Sequence, residues 1–506
     1  MGNVQLLLEG IGTALSFQNL IAAFAGAIMG LIVGAMPGIG SLAGVALLLP
    51  LTFKMNPTTA IIMLAALYYS NMYGGSFSAI LLNIPGDSPA IMTSLDGYPM
   101  SRKGEAGKAL FTASVSSFIG GTIGIIMLTF IGPLAAKWGL SFGPAELTWL
   151  IVLALTSIGW LIGDKPAAGL LATALGMMIA TVGFDKALGQ PRFAFGNVNL
   201  FSGVAFIPLV IGMFGFGQVI DMVVNRDNYA SVSSKKLSIK ESIVNKDEAK
   251  RIAPVAVRSG LLGTFIGILP GAGATMGAFL SYVTEKKIGK NKDQMGKGAV
   301  EGVAAAEAAN NGAAMGAFAP LLSLGIPGSG TSAVLLGGLM MWGLQPGPLL
   351  FKNNPDFVWG LIGSMYIGNI ICLIIAILSI PILMKVVTVP SSLMVPLISS
   401  ICIIGTYSVN NSMFDVYLMI GAGVLAYLMS LADIPAAPLL LSFVLTPMLE
   451  MYIRQSFDIS GGSLGVFIQS PISKVLCTLI ILFSVTPILL KIFNKKPPVD
   501  MSEMDA

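Results

Sequence analysis

Residues 34–50 read GAMPGIGSLAGVALLLP and residues 267–282 read GILPGAGATMGAFLSY. A Pro-Gly-x-Gly break inside apolar sequence therefore occurs twice, as Pro37-Gly38-Ile39-Gly40 and as Pro270-Gly271-Ala272-Gly273. A second break follows each. Residues 68–100 read YYSNMYGGSFSAILLNIPGDSPAIMTSLDGYPM around Ile84-Pro85-Gly86, and residues 301–339 read EGVAAAEAANNGAAMGAFAPLLSLGIPGSGTSAVLLGGL around Ile326-Pro327-Gly328. Proline removes a backbone donor and glycine abandons the helix, so apolar helix stops at all four sites. Backbone freed at membrane depth survives only when buried in protein or lining a wet cavity. Paired breaks in two halves of one apolar chain point to a transporter's substrate site.

Composition sets the surroundings. Of 506 residues, 55% are hydrophobic and 10% charged, where soluble domains carry about 25% charged residues. The expected fold class is an all-α polytopic membrane protein of two repeats with broken or re-entrant helices and about 10–12 spans. The 60 glycines and 28 prolines agree with many interrupted helices. Histidine is absent, which excludes Ser-His-Asp chemistry and His-ligated metal and removes the usual near-neutral proton shuttle. Cys372, Cys402 and Cys477 lie in apolar runs without CxxC spacing and read as small core residues. No GxxxxGK[ST] phosphate loop is present, so nothing points to ATP-driven transport. The first basic residue is Lys54, so a cleavable signal peptide is not expected.

Taken in order, residues 1–16 are weakly amphipathic and 17–53 are split by the first break. Spans are expected at 58–82, 109–136, 145–163, 166–183 and 202–224, with Trp138, Trp149 and Trp160 near their ends as interfacial aromatics. Residues 225–252 hold seven basic and four acidic residues and read as a cytoplasmic linker. The second half gives a broken pair at 254–284, a span from 298, and spans at 358–384, 391–409, 414–431 and 434–452; a further span at 472–493 precedes a polar tail. The domains expected are residues 1–224, the linker 225–252, residues 253–471, and a C-terminal segment 472–506.

Loop charge predicts the orientation. The five lysines of 285–297 and the basic link 96–108 belong in the cytoplasm, whereas their counterparts 343–356 and 53–57 carry one lysine each. The basic version of each loop pair alternates between the halves, as two copies inserted upside down to each other would give. The N-terminus then falls outside and the C-terminus inside.

At these residues the chain resembles the large membrane subunit of the tripartite tricarboxylate transporter family (TctA-like). The matching segments are MPGIG, the run 68–100, the run 301–330 and GLQPGPLLF at 343–351. The resemblance spans nearly the whole chain. It implies a multi-pass carrier of carboxylates in the bacterial inner membrane. It also implies a small four-span (TctB-like) membrane partner and a periplasmic solute-binding protein (TctC-like) that delivers substrate.

Helix N-termini expose unpaired N–H groups and bind carboxylates without a buried Arg. Gly38, Gly40, Ser41, Asn83, Pro85, Gly86, Ser88, Gly271, Gly273, Thr275, Pro327, Gly328, Ser329, Gly330 and Thr331 are the substrate-binding candidates on that ground. The competing reading is that the glycines permit close packing and the prolines kink. Glu307, Asn310 and Asn311 share one helix face and, with Asp87, are the cation-coupling candidates. Na+ at Glu307 and Asn310 is favoured over H+. Asp87 equally suits a helix cap. Asp96 reads as an interfacial turn residue, Glu301 as a solvated one, and Tyr68, Tyr69, Asn71 and Tyr73 as packing or cavity lining.

The function expected is cation-coupled secondary import of di- or tricarboxylates, with elevator-like movement of the broken helices and no cofactor beyond the coupling ion. A homodimer is compatible with this; nucleic acid is not a partner. The alternatives are a passive anion channel and an intramembrane enzyme.

Overall fold

The computed structural model describes residues 2–36, 39–161, 166–185, 189–224, 242–269, 271, 273–387 and 391–492. Pro37, Gly38, Pro270, the tail after 492 and residues 225–241 of the expected linker lie outside the described residues.

The first half runs α1 (Asn3–Ala14), α2 (Phe17–Ala35), α3 (Gly40–Thr52), α4 (Pro57–Leu82), a 3-10 turn at Ser88–Ala90 leading into α5 (Ile91–Arg102), α6 (Ala106–Gly139), α7 (Pro144–Leu161) and α8 (Pro166–Ala180). A two-residue hairpin follows, β1 (Gly183–Phe184) antiparallel to β2 (Pro191–Arg192), then α9 (Phe206–Val224). The second half runs α10 (Lys246–Ile268), α11 (Gly273–Ile288), α12 (Val300–Gly316), α13 (Phe318–Leu324), α14 (Gly330–Met341), α15 (Pro348–Asn353), α16 (Pro355–Val387), α17 (Ser391–Asn410), α18 (Met413–Leu431) and α19 (Ala436–Ser460). The chain closes with α20 (Val466–Gln469) and α21 (Pro471–Ile492). Among the described residues, eight helices are long and apolar enough to cross a membrane, and α3 and α14 are among five shorter apolar ones. The chain is an all-α polytopic membrane protein. Residues 246–252, expected in the linker, instead form the start of α10, which Asn245 opens with a capping box to Glu248.

Matching glycine contacts occur in the two halves. A Cβ on Gly30 or Gly34 would overlap the carbonyls of Leu67 and Asn71 on α4; one on Gly263 or Gly267 would overlap those of Ala309 and Ala313 on α12. Likewise Gly74 lies against the Leu31 carbonyl, and Gly316 against that of Thr264. Small residues let backbones approach this closely where lipid offers no hydrophobic drive for association. The pairing is also reciprocal. Helix α4 packs on α16 of the other half, and α12 on α6.

Polar contacts tie the halves together at one end. Asp96, fully buried on α5, accepts from the amides of Gly296, Gly298 and Ala299 at 2.7–2.9 Å and from the Tyr282 hydroxyl at 2.8 Å. A side chain of the first half thus holds the loop that leads into α12 of the second, up to and including its N-cap residue Ala299. Glu301 is not solvated, as expected above, but buried and held by Arg251 at 2.6 and 2.9 Å and by Asn291 at 2.5 Å. Burying a carboxylate at this depth requires such partners. Trp138 is exposed, as an interfacial aromatic should be, while the Trp149 indole donates to the Phe467 carbonyl. The side chain of Trp160 lies outside the described residues.

Candidate functional site

Each helix ends at its second break by the same device. The C-cap residue of α4, Asn83, has φ 59°, and Gly325 after α13 has φ 70°; both precede Ile-Pro. The residue before proline is pushed to extended backbone, so a left-handed residue ahead of it turns the chain sharply. Gly86 then passes so close to the Gly34 carbonyl that a Cβ would overlap it, and Gly328 stands likewise against Gly267. At the first breaks Gly40 and Gly273 share φ 63°. Glycine is required at Gly40 and Gly273 by the left-handed backbone, and at Gly86 and Gly328 by the close approach.

Asp87 occupies the centre of the first-half breaks. Its Oδ2 accepts from the Ser41 amide at 2.9 Å and the Asn71 amide nitrogen at 3.1 Å; its Oδ1 accepts from the Ser88 amide at 2.9 Å. One carboxylate therefore caps the N-termini of both α3 and the 3-10 turn that leads into α5. These three partners are all donors, which is the geometry of a cap. Ser329 holds the corresponding place in the second half and caps α14 in a box with Ser332. The halves meet here: Ser41 Oγ lies 2.9 Å from Thr331 Oγ1, and the Tyr68 hydroxyl 3.1 Å from Ser329 Oγ.

A cavity of about 1070 Å3 adjoins this centre. One wall is Ile39, Gly40, Pro85, Gly86, Asp87 and Ser88. The opposite wall comes from α9, through Met213, Gln218 and Asp221, and from the end of α18 and the turn after it, through Tyr427, Ser430 and Asp433. The middle of α9, Ile211–Phe216, is wound as a π-helix, a feature often found at functional sites. Among the described residues, no Lys or Arg lines the cavity. Of the second-half candidates, Gly271, Gly273, Pro327, Gly328, Ser329, Gly330 and Thr331 do not line the cavity; Thr331 meets Ser41, which stands between the lining residues Gly40 and Leu42. Thr275 is exposed and away from the cavity. Asn83 is exposed at the turn before Ile84.

Glu307 sits elsewhere, fully buried on α12. Thr93 of α5 donates to its Oε1 and Ser117 of α6 to its Oε2, at 3.0 Å for the latter. Asn310 and Asn311 are buried beside it with their Oδ1 atoms unpartnered. Tyr68, Tyr69, Asn71 and Tyr73 are all buried; Tyr73 donates to Asn369, which donates in turn to the Phe118 carbonyl and Thr122. Outside the spans, Arg192 on the hairpin pairs with Glu450 at 2.8 Å, and that hydrogen bond raises the guanidinium above its ordinary value. Arg454 joins Glu450 and Asp185 in the same cluster.

Sequence reasoning missed Thr93, Ser117 and Asn369, and the whole far wall of the cavity. One signal for that wall was present. Asp433-Ile434-Pro435 repeats the x-Ile-Pro pattern of Asn83 and Gly325, and Asp433 has φ 54°.

The comparisons agree with this architecture. A model described as "Tripartite tricarboxylate transporter TctA family" matches residues 20–441. An uncharacterised 52.8 kDa protein in the TAR-I ttuC' 3' region of Agrobacterium vitis is 39% identical over 502 residues, 98% of each chain. An uncharacterised protein in the TAR-II ttuC' 3' region of the same organism is 40% identical over 237 residues, 47% of this chain and 98% of that relative. No solved structure matches the chain. With residues 20–441 matched and a relative of equal length, the chain belongs to the tripartite tricarboxylate transporter TctA family.

Proposed function

We propose that the chain is the large membrane subunit of a secondary active system that imports di- or tricarboxylates across the bacterial inner membrane. A Na+ gradient rather than H+ drives it, a periplasmic solute-binding protein feeds it, and a small four-span subunit accompanies it. The observation that carries this reading is the cavity walled by both first-half breaks and joined, through Ser41 and Thr331, to the second-half break. A cavity without Lys or Arg recognises carboxylates through hydroxyls and backbone N–H groups, and the substrate's charge is balanced by cations that travel with it. The repeat is inverted across the membrane. The broken-helix core, α2–α5 with α10–α14, moves as an elevator against the outer wall of α9 and α18.

The test is uptake by proteoliposomes carrying the purified chain with its two partners, across a panel of carboxylates. Accumulation against the substrate gradient that collapses when the Na+ gradient is dissipated supports the reading. Equilibration without accumulation makes the protein a passive channel, and release of a chemically altered product makes it an enzyme.

A further inference from the structure

We propose that Glu307, Thr93 and Ser117 form a Na+ seat whose filling fixes the second broken helix of the first half; the proposal rests on the cation-coupled reading above. Glu307 is 0% exposed, and no Lys or Arg among the described residues pairs with it. A buried carboxylate without a positive partner is costly. The repeat shows that packing does not require it. Ala65 holds the corresponding position on α4 and is equally buried, with no carboxylate.

The three side chains come from three helices, α12, α5 and α6, and present only oxygen. Hard cations take such oxygen ligands. Without the ion, both hydroxyls donate to the carboxylate. With it, each hydrogen can turn to the carbonyl four residues back, as Ser114 of α6 already does toward Leu110 at 2.9 Å, leaving a lone pair for the cation. A second observation points the same way. The Oδ1 atoms of Asn310 and Asn311, next along the helix, are buried with no donor. The region is short of positive charge and not of oxygens.

Thr93 makes the seat consequential. It stands on α5 about one and a half turns from Ser88, where Asp87 caps the element and lines the cavity. An ion held between α12 and Thr93 therefore positions the cavity wall through a short rigid helix. Empty, the polar tie between Thr93 and α12 is a hydroxyl donating to the Glu307 carboxylate.

The test is 22Na+ binding to the purified full chain in lipid nanodiscs, without carboxylate, for wild type, Glu307→Gln, Thr93→Val, Thr93→Ser and Ser117→Ala. The seat predicts loss of saturable binding in Glu307→Gln. It predicts a half-saturating concentration raised about tenfold or more in Thr93→Val and Ser117→Ala, as when a ligand or its support is removed from an ion site. Thr93→Ser, which keeps the oxygen, should stay near wild type and shows that loss in the valine variant is not misfolding. Wild-type Na+ binding by Glu307→Gln, or by Thr93→Val and Ser117→Ala together, overturns the seat. If Na+ binds as predicted but carboxylate uptake in proteoliposomes ignores the Na+ gradient, the seat stands and the coupled-transport reading falls.

Discussion

Ser41 and Thr331 lie 290 residues apart in sequence, yet their hydroxyl oxygens are 2.9 Å apart in the buried centre of the protein. Each opens a short apolar helix after a break, one in each half. The bond is the most direct link between the two sets of breaks. Hydrogen bonds between helices in a membrane average about 0.6 kcal/mol and reach about 1.7. A double-mutant cycle of Ser41→Ala and Thr331→Val, read as thermal unfolding in detergent and as carboxylate uptake, should give a coupling of that size. Strictly additive effects on both readouts would mean that the halves do not communicate here.

Glycines at the second breaks should differ in tolerance. A Cβ at Gly86 overlaps the Gly34 carbonyl, whereas at Gly328 it comes to 2.8 Å from that of Gly267. Gly421, exposed on α18, has nothing within 4 Å. Overpacking of this kind costs about 1–3 kcal/mol. Initial uptake rates in proteoliposomes should therefore fall most for Gly86→Ala, less for Gly328→Ala, and not at all for Gly421→Ala. Equal rates in all three would show that the close approach is dispensable.

Asp96 should prove structural. Asp96→Ala leaves the buried Ala299 amide without an acceptor, at about 1–3 kcal/mol, and frees the more exposed amides of Gly296 and Gly298 to water. The melting temperature of the purified protein should drop by several degrees. Limited proteolysis should open the chain between 289 and 299. A variant as stable as wild type would reassign the residue to transport.

The far wall of the cavity gives an accessibility test. Gln218 and Ser430 line it near the ends of α9 and α18, and α9 leads into the basic residues after 224. With that basic segment in the cytoplasm, Gln218→Cys and Ser430→Cys should react with an impermeant maleimide in inside-out vesicles. Substrate carboxylate should slow the reaction. Labelling from the opposite face only would reverse the orientation.

Much of this architecture was legible because proline and glycine leave a signature that burial cannot hide. The breaks at Gly40, Gly86, Gly273 and Gly328 fall where the sequence puts them, and spans such as 391–409 and 414–431 match α17 and α18 within two residues at each end. Side-chain partnerships were not legible. Nothing in the spacing of Asp96 reveals that its acceptor capacity is used by a loop 200 residues away. Glu307 was visible as an ionisable residue in an apolar helix. Thr93 and Ser117 were not, because a hydroxyl in a helix ordinarily bonds its own backbone and carries no mark of a distant partner. The third x-Ile-Pro turn at Asp433 was there to be read, but it has no counterpart in the duplicated breaks.

The hold that Asp96 has on the loop before α12 also bears on the making of the protein. Asp96 leaves the ribosome 200 residues before Gly296 and 203 before Ala299. Tyr68 precedes its partner Ser329 by 261. The first half thus waits in the bilayer with its acceptor in place, and the loop before α12 settles onto a surface already built. A gene cut within 225–241 would encode a second fragment whose loop before α12 lacks its acceptor. Assembly of the two fragments would depend on synthesis of the first, so the chain's direction of growth is part of its folding instructions.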